Sequence, residues 1–164
     1  MPTILLLIEY DGTDFAGWQL QTNGRSVQEV VEAALAELLG ESVRIHSAGR
    51  TDAGVHACAM PVHFTTQREL PLRAYRDGLN RLLPADVAVF EAYAMPDGFH
   101  ARFMARRKWY RYTIDRRSVR SPLSGRRAWQ LRGTLDLEAM RTAAQLLVGE
   151  HDFAAFRASG CVAK

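Results

Sequence analysis

Several things are scarce in this chain, and each scarcity closes off a class. Two cysteines, Cys58 and Cys161, stand among 164 residues. That is too few for a disulfide framework, and reduced, packed thiols are expected. No apolar stretch approaches the ~18 residues of a membrane span. A charged n-region followed by an apolar run and a small-residue cleavage site is also missing. The expectation is a soluble, cytoplasmic protein without a membrane partner. No repeat of about 20–50 residues and no low-complexity tract appears, which argues against a solenoid or a long linker. Lysine is nearly absent, since Lys108 and Lys164 are the only two lysines among 21 basic side chains.

The chain does have an ordinary apolar fraction, 48%, enough to build a core and to exclude disorder. Its charge is unevenly distributed. Residues 1–101 carry 7 basic and 13 acidic side chains, a balance of −6. Residues 102–132 carry 11 basic side chains and one acid, Asp115, a balance of +10. Residues 133–164 return to −1. The basic block contains Arg102, Arg106, Arg107, Lys108, Arg111, Arg116, Arg117, Arg120, Arg126 and Arg127, interleaved with Trp109, Tyr110, Tyr112 and Trp129. Arginine's planar fork suits phosphate oxygens and stacks on bases. A block this lopsided, carrying aromatic rings, points to RNA or DNA contact.

Hydrophobic periodicity gives the organisation. Thr3 to Tyr10 reads as a buried strand. Ser26-Val27-Gln28-Glu29 fits a capping box, and the helical spacing of Val27, Val30, Val31, Ala34, Leu35, Leu38 and Leu39 runs to a stop at Gly40. Val43 to Ser47 and Ala57 to Thr66 read as strands. Pro71 opens a helix running to about Leu83, and Val87 to Met95 is a fourth strand. The order β-α-β-β-α-β predicts an α+β, ferredoxin-like (split βαβ) antiparallel sheet with helices on one face. Residues 1–101 form this domain. Residues 102–164 read as a basic segment and an incomplete second α/β part: a strand over Lys108–Asp115, a loop over Arg116–Arg127, and a helix capped by Asp136 that ends at Gly149.

The octet Gly49-Arg50-Thr51-Asp52-Ala53-Gly54-Val55-His56 is the most informative stretch. It holds one carboxylate, Asp52, in a short turn between glycines, with Arg50 two residues earlier and His56 four later. Turns are where side chains can be aimed at a ligand. A nearby cation favours the ionised form of a carboxylate, and an ionised carboxylate in a cleft can act as nucleophile or base. The plain alternative is a turn aspartate bonded to its own backbone. His56, Cys58 and His63 do not make a zinc site, because their spacing along one strand scatters them over both faces. His46, His100 and His151 fit structural or surface roles, with His100, beside Arg102, a candidate for RNA contact.

Together these pieces resemble the bacterial tRNA pseudouridine synthase A family. The resemblance rests on Tyr10-Asp11-Gly12, Gly17-Trp18-Gln19 with Gln21, Ser26-Val27-Gln28-Glu29, the octet, Phe99-His100-Ala101-Arg102-Phe103, Tyr110-Arg111-Tyr112, and Asp152-Phe153 with Phe156-Arg157. It implies isomerisation of uridine to pseudouridine within the anticodon arm of tRNA, at tRNA positions 38 to 40, without metal or cofactor. By the same resemblance Asp52 is catalytic, Arg50 pairs with it and helps displace the target base, and Tyr110 stacks on the uracil. Whether Asp52 attacks C1′, attacks the pyrimidine ring or takes a ribose proton is left open. Arg102, Arg106, Arg107, Lys108, Arg111 and Arg126 are assigned to RNA. The family pattern is longer than this chain, so a partial form is expected, together with a homodimer for the full-length protein. A non-catalytic RNA-binding module on the same fold is the alternative.

Overall fold

The computed structural model describes residues 1–156; Arg157 and Cys161 lie outside the described residues. Two compact units divide the chain, residues 1–110 and the residues from 111 onward.

The first unit runs β1 (Thr3–Tyr10), a 3-10 turn (Gly12–Asp14), α1 (Val27–Leu39), β2 (His46–Ser47), β3 (Ala57–Thr65), α2 (Leu72–Leu82) and β4 (Val87–Met95). The sheet order is β2-β3-β1-β4, antiparallel throughout. This is the expected ferredoxin-like arrangement, in which β3 is inserted between β1 and β2. Alternation along β1 decides its two faces. Ile4, Leu6, Ile8 and Tyr10 are buried with the helices, while Leu5 and Leu7 are half-buried and Glu9 is exposed on the other face.

Helix α1 starts where the sequence places it. Ser26 Oγ accepts the Glu29 amide at 3.2 Å, and the Glu29 carboxylate reaches back to the Ser26 amide at 3.4 Å. Gly40 ends the helix in the left-handed region, φ 68°. The apolar stripe Val27, Val31, Ala34, Leu35 and Leu39 is buried. Pro71 caps α2 instead of opening its first turn. Tyr75 and Leu79 bury that helix, with the Tyr75 ring edge-on to Phe64 at 6.0 Å. Glycine at position 78 lets the helices approach, because a Cβ there would lie 2.7 Å from Leu38 Cδ1. Strand β4 carries a bulge opposite Leu7 and Ile8. Asn80 of α2 pairs with the backbone there, donating to the Val89 carbonyl (2.6 Å) and accepting its amide (2.8 Å).

The strand expected over 43–47 is shorter, because Glu32 of α1 takes the Ile45 amide at 3.1 Å and so draws that stretch away from the ladder. Only His46 and Ser47 pair with β3.

The second unit contains β5 (Ile114–Asp115), β6 (Trp129–Gln130), α3 (Leu137–Gln145) and a 3-10 turn (Ala154–Phe156). The strand expected over 108–115 is reduced to β5. A strand exists only where a neighbour satisfies its backbone, and only Ile114 and Asp115 find one, in a short parallel ladder with β6. Asp136 caps α3 through the Ala139 amide at 2.9 Å. The helix stops four residues short of Gly149, and residues 146–148 continue in tighter turns. No α3 residue is buried. Among the described residues no helix is long and apolar enough to cross a membrane.

Replacing Ser26 by Ala removes the hydroxyl half of the capping box from a fully buried position and leaves the backbone half, the residue-26 amide on Glu29. Urea denaturation of Ser26→Ala is expected to show a loss of ~1 kcal/mol, within about 0.5–2.

Candidate active site

The octet is held by a neighbouring loop, and that loop is held by α1. The first amides of a helix have no partner within it. Here the Val27 and Gln28 amides donate to the Gly17 and Trp18 carbonyls, at 3.2 and 3.0 Å. The loop passes the restraint on. The Trp18 amide donates to the Thr51 carbonyl at 2.9 Å, and the Gly54 amide donates to the Phe15 carbonyl at 3.3 Å. Two glycines make the approach possible. A Cβ on Gly12 would lie 2.0 Å from the Val55 carbonyl oxygen, and one on Gly17, at φ 110°, would lie 2.9 Å from that of Thr51.

Side chains finish the clamp. The Tyr10 hydroxyl is 2.8 Å from Thr51 Oγ1, and burial pushes the Tyr10 phenol above its usual range. His56 Nδ1 accepts the Gly12 amide at 3.1 Å, with Asp11 Oδ1 3.0 Å from the same nitrogen. The bend itself closes through the Val55 amide on the Asp52 carbonyl, 3.2 Å. The Asp52 side chain is exposed, and among the described residues it has no hydrogen bond or ion pair.

A cleft of about 870 Å³ adjoins the turn through Gly49 and Arg50. Among the described residues its charged lining is Arg44, Arg50, Arg102 and Lys108, with no carboxylate. Lys108 lies over Gly49, so that a Cβ there would meet Nζ at 3.2 Å. One wall is set by a relay from α1. Gln28 Oε1 accepts from the Gln19 side chain (3.0 Å) and the Leu20 amide (3.2 Å), Gln28 Nε2 donates to Glu32 (2.9 Å), and Glu32 receives Arg44 at 3.2 Å. The opposite wall is the turn after β4. There, His63 Nδ1 lies between the Ala101 amide (3.2 Å) and the His46 carbonyl (3.1 Å). Burial, then the neighbouring His100, pushes the His63 imidazole below its usual range, against the opposing pull of the His46 carbonyl.

The residues predicted from sequence are distributed as follows. Arg50, Arg102 and Lys108 meet in the cleft. Among the described residues no ion pair joins Arg50 to Asp52, although the resemblance implies one. Arg106 and Arg107 are exposed and do not line the cleft, and Tyr110 closes the first unit with its ring 77% exposed. Arg111 and Arg126 are exposed in the second unit. Arg117 is committed locally, donating to Asp115 at 2.6 and 3.0 Å and holding that carboxyl well below the usual range. The cleft residues Arg44 and Gln28 were not singled out from sequence. The one available signal was a glutamine on the apolar side of α1, next to Val27.

Among the described residues no group of three or more His, Cys, Asp or Glu side chains is placed to hold a metal ion. His46, His63 and His100 pack ring on ring.

A family profile described as tRNA pseudouridine synthase matches residues 6–104. Proteins named tRNA pseudouridine synthase A from Syntrophotalea carbinolica, Geobacter sulfurreducens and Myxococcus xanthus are 60%, 58% and 51% identical over all 164 residues. The chain spans 65%, 67% and 62% of their respective lengths.

Two measurements test the site's construction. Gly12→Ala forces the Val55 carbonyl away and is expected to lower stability by ~1–3 kcal/mol, as overpacking does, with faster amide exchange confined to residues 49–56. For His63 the native imidazole binds its proton less readily than the unfolded one. Between the ordinary value of 6.5 and the lower native one, the unfolded chain therefore holds more protons, and stability falls as pH drops. Its contribution is complete above pH 6.5 and is lost as pH falls through the native value. Denaturant melts between pH 7.5 and about pH 4.5 are expected to show a shallower loss in His63→Gln than in the wild type.

Proposed function

The chain belongs to the tRNA pseudouridine synthase family, and on that premise we propose that it carries the catalytic turn of an enzyme that converts uridine to pseudouridine in the anticodon arm of tRNA, at tRNA positions 38 to 40. One observation supports this most directly. An exposed carboxylate, Asp52, sits in a turn immobilised from three sides and continuous, through Gly49 and Arg50, with a cleft whose charged side chains are all cationic.

The chemistry asks for little else. The bond from C1′ to N1 breaks, the uracil turns, and a bond from C1′ to C5 replaces it. A proton leaves C5 and one is gained at N1, so substrate and product are isomers and no electrons are exchanged. Asp52 is the anionic group for this step, as nucleophile at C1′ or the ring, or as base toward the ribose. The target must leave its stack, which costs a few kcal/mol. Arg50, at the cleft end of the turn, fills the role of displacing it. The exposed Tyr110 ring supplies a face on which the freed uracil stacks, returning ~1–3 kcal/mol.

Arg102, Arg106, Arg107, Lys108, Arg111 and Arg126 are assigned to the RNA backbone, and the full-length protein to a cytoplasmic homodimer. In this scheme residues 1–101 carry the catalytic domain, and residues 102–164 the basic segment and part of a second α/β half.

The test is full-length protein with Asp52→Asn. It is expected to bind anticodon-arm RNA as the wild type does while pseudouridine formation falls at least ~100-fold. Product at the wild-type rate would remove Asp52 from the mechanism, and RNA binding without product in the wild type would leave an RNA-binding module.

A further inference from the structure

Four rings cluster beside the cleft. Phe103 lies 4.2 Å from His100, inclined by 32°. His100, His63 and His46 form a triangle, with 4.6 Å between His100 and His63, 5.2 Å between His63 and His46, and 5.5 Å between His46 and His100. Phe99 braces the cluster edge-on, 5.7 Å from His63 at 89°. The cluster is anchored at His63, which is 5% exposed and whose Nδ1 lies 3.2 Å from the Ala101 amide. Its outer edge is open, with Phe103 78% exposed. An exposed phenylalanine is usually a single surface residue of no consequence. This one stacks on His100 at the edge of the imidazole cluster and sits beside Arg102, with Arg44, Arg50 and Lys108 lining the same cleft.

We propose that the outer face of Phe103 is a stacking platform for an unpaired nucleobase of bound RNA, one that neighbours the isomerised uridine. This rests on the RNA-modifying reading above. Flat aromatic faces set in a cationic groove are the usual means of holding single-stranded RNA, the ring taking the base while arginine and lysine take the phosphates. The base is a neighbour of the target because Phe103 lines the cleft and Asp52 does not. A protein side chain would cover the same ring, but the lining cations, with no carboxylate among the described lining residues, favour a polyanion. The cluster also gives the turn at Phe99–Phe103 a positioning task, since His100, held against His63, sets the angle at which Phe103 meets its ligand.

The test is equilibrium binding of an anticodon-arm hairpin to full-length protein carrying Phe103→Ala, Phe103→Leu or Phe103→Trp, with pseudouridine yield read separately. Phe103→Ala and Phe103→Leu are each expected to weaken binding by about 5- to 140-fold, with the slope of log affinity against log salt unchanged because no phosphate contact is lost. Phe103→Trp is expected to bind within about twofold of wild type. The Leu and Trp variants keep the site filled, so they decide the matter if the Ala variant folds poorly. Wild-type affinity in Phe103→Leu overturns the platform. So does a fall in melting temperature with RNA affinity intact, which would place protein on the ring. Ring-dependent binding by a wild type that forms no pseudouridine would sink the catalytic reading and leave the platform standing. Ring-independent binding with normal pseudouridine formation would do the reverse.

Discussion

The amides at the start of α1 have no partners inside their own helix, and the way they are satisfied positions everything chemical in the first unit. Val27 and Gln28 donate to Gly17 and Trp18, so the loop after β1 is tied to the helix end. The same loop bonds to Thr51 and Gly54, so the turn bearing Asp52 inherits its position from a helix packed in the core. Gly12 and Gly17 are what permit this, since at both points a neighbouring carbonyl occupies the space of a side chain. An exposed carboxylate is ordinarily mobile. Here its backbone is fixed from behind while its oxygens stay free, which is the condition a catalytic group on a loop must meet.

Charge and aromaticity are arranged on the same frame. Several acidic side chains of the first unit are drawn into partners of their own: Asp86 with Arg25, Glu32 with Arg44, Asp77 with Arg73 and Arg76, and Glu41 with Thr66. The cleft is left with a cationic lining despite the net acidity of the sequence around it. The net charge of residues 1–101 would not have placed a cationic cleft here; the arrangement of individual side chains does.

Much of the first unit was legible in the sequence because its signals are local. The α1 box, its stripe and the Gly40 stop lie within fifteen residues, and β1, β3 and β4 show the alternation or apolar runs that strands require. Failures came where structure depends on a distant partner. Residues 43–45 have strand-like composition, but Glu32 takes the Ile45 amide. Residues 108–113 alternate well and still form no strand, since alternation describes a face and cannot supply a neighbouring backbone. The octet marked Asp52 without the rest of the clamp, because Gly12 meets Val55 across 43 positions of chain. The ring cluster was hidden for the same reason, with His46, His63 and Phe103 on separate segments.

The pairing of Asn80 with Val89 has a consequence for the outer margin of the sheet. Val89 pairs with β1 on one side, and its amide and carbonyl on the other side are occupied by one carboxamide. The opposite margin, β2, is two residues long. Unpaired margins of a sheet invite a foreign strand to add on, and a bulge or a covering side chain discourages it. One border is blocked at Val89 and carries the exposed charge of Glu91, and the other is two residues long, so both give an incoming strand a poor template.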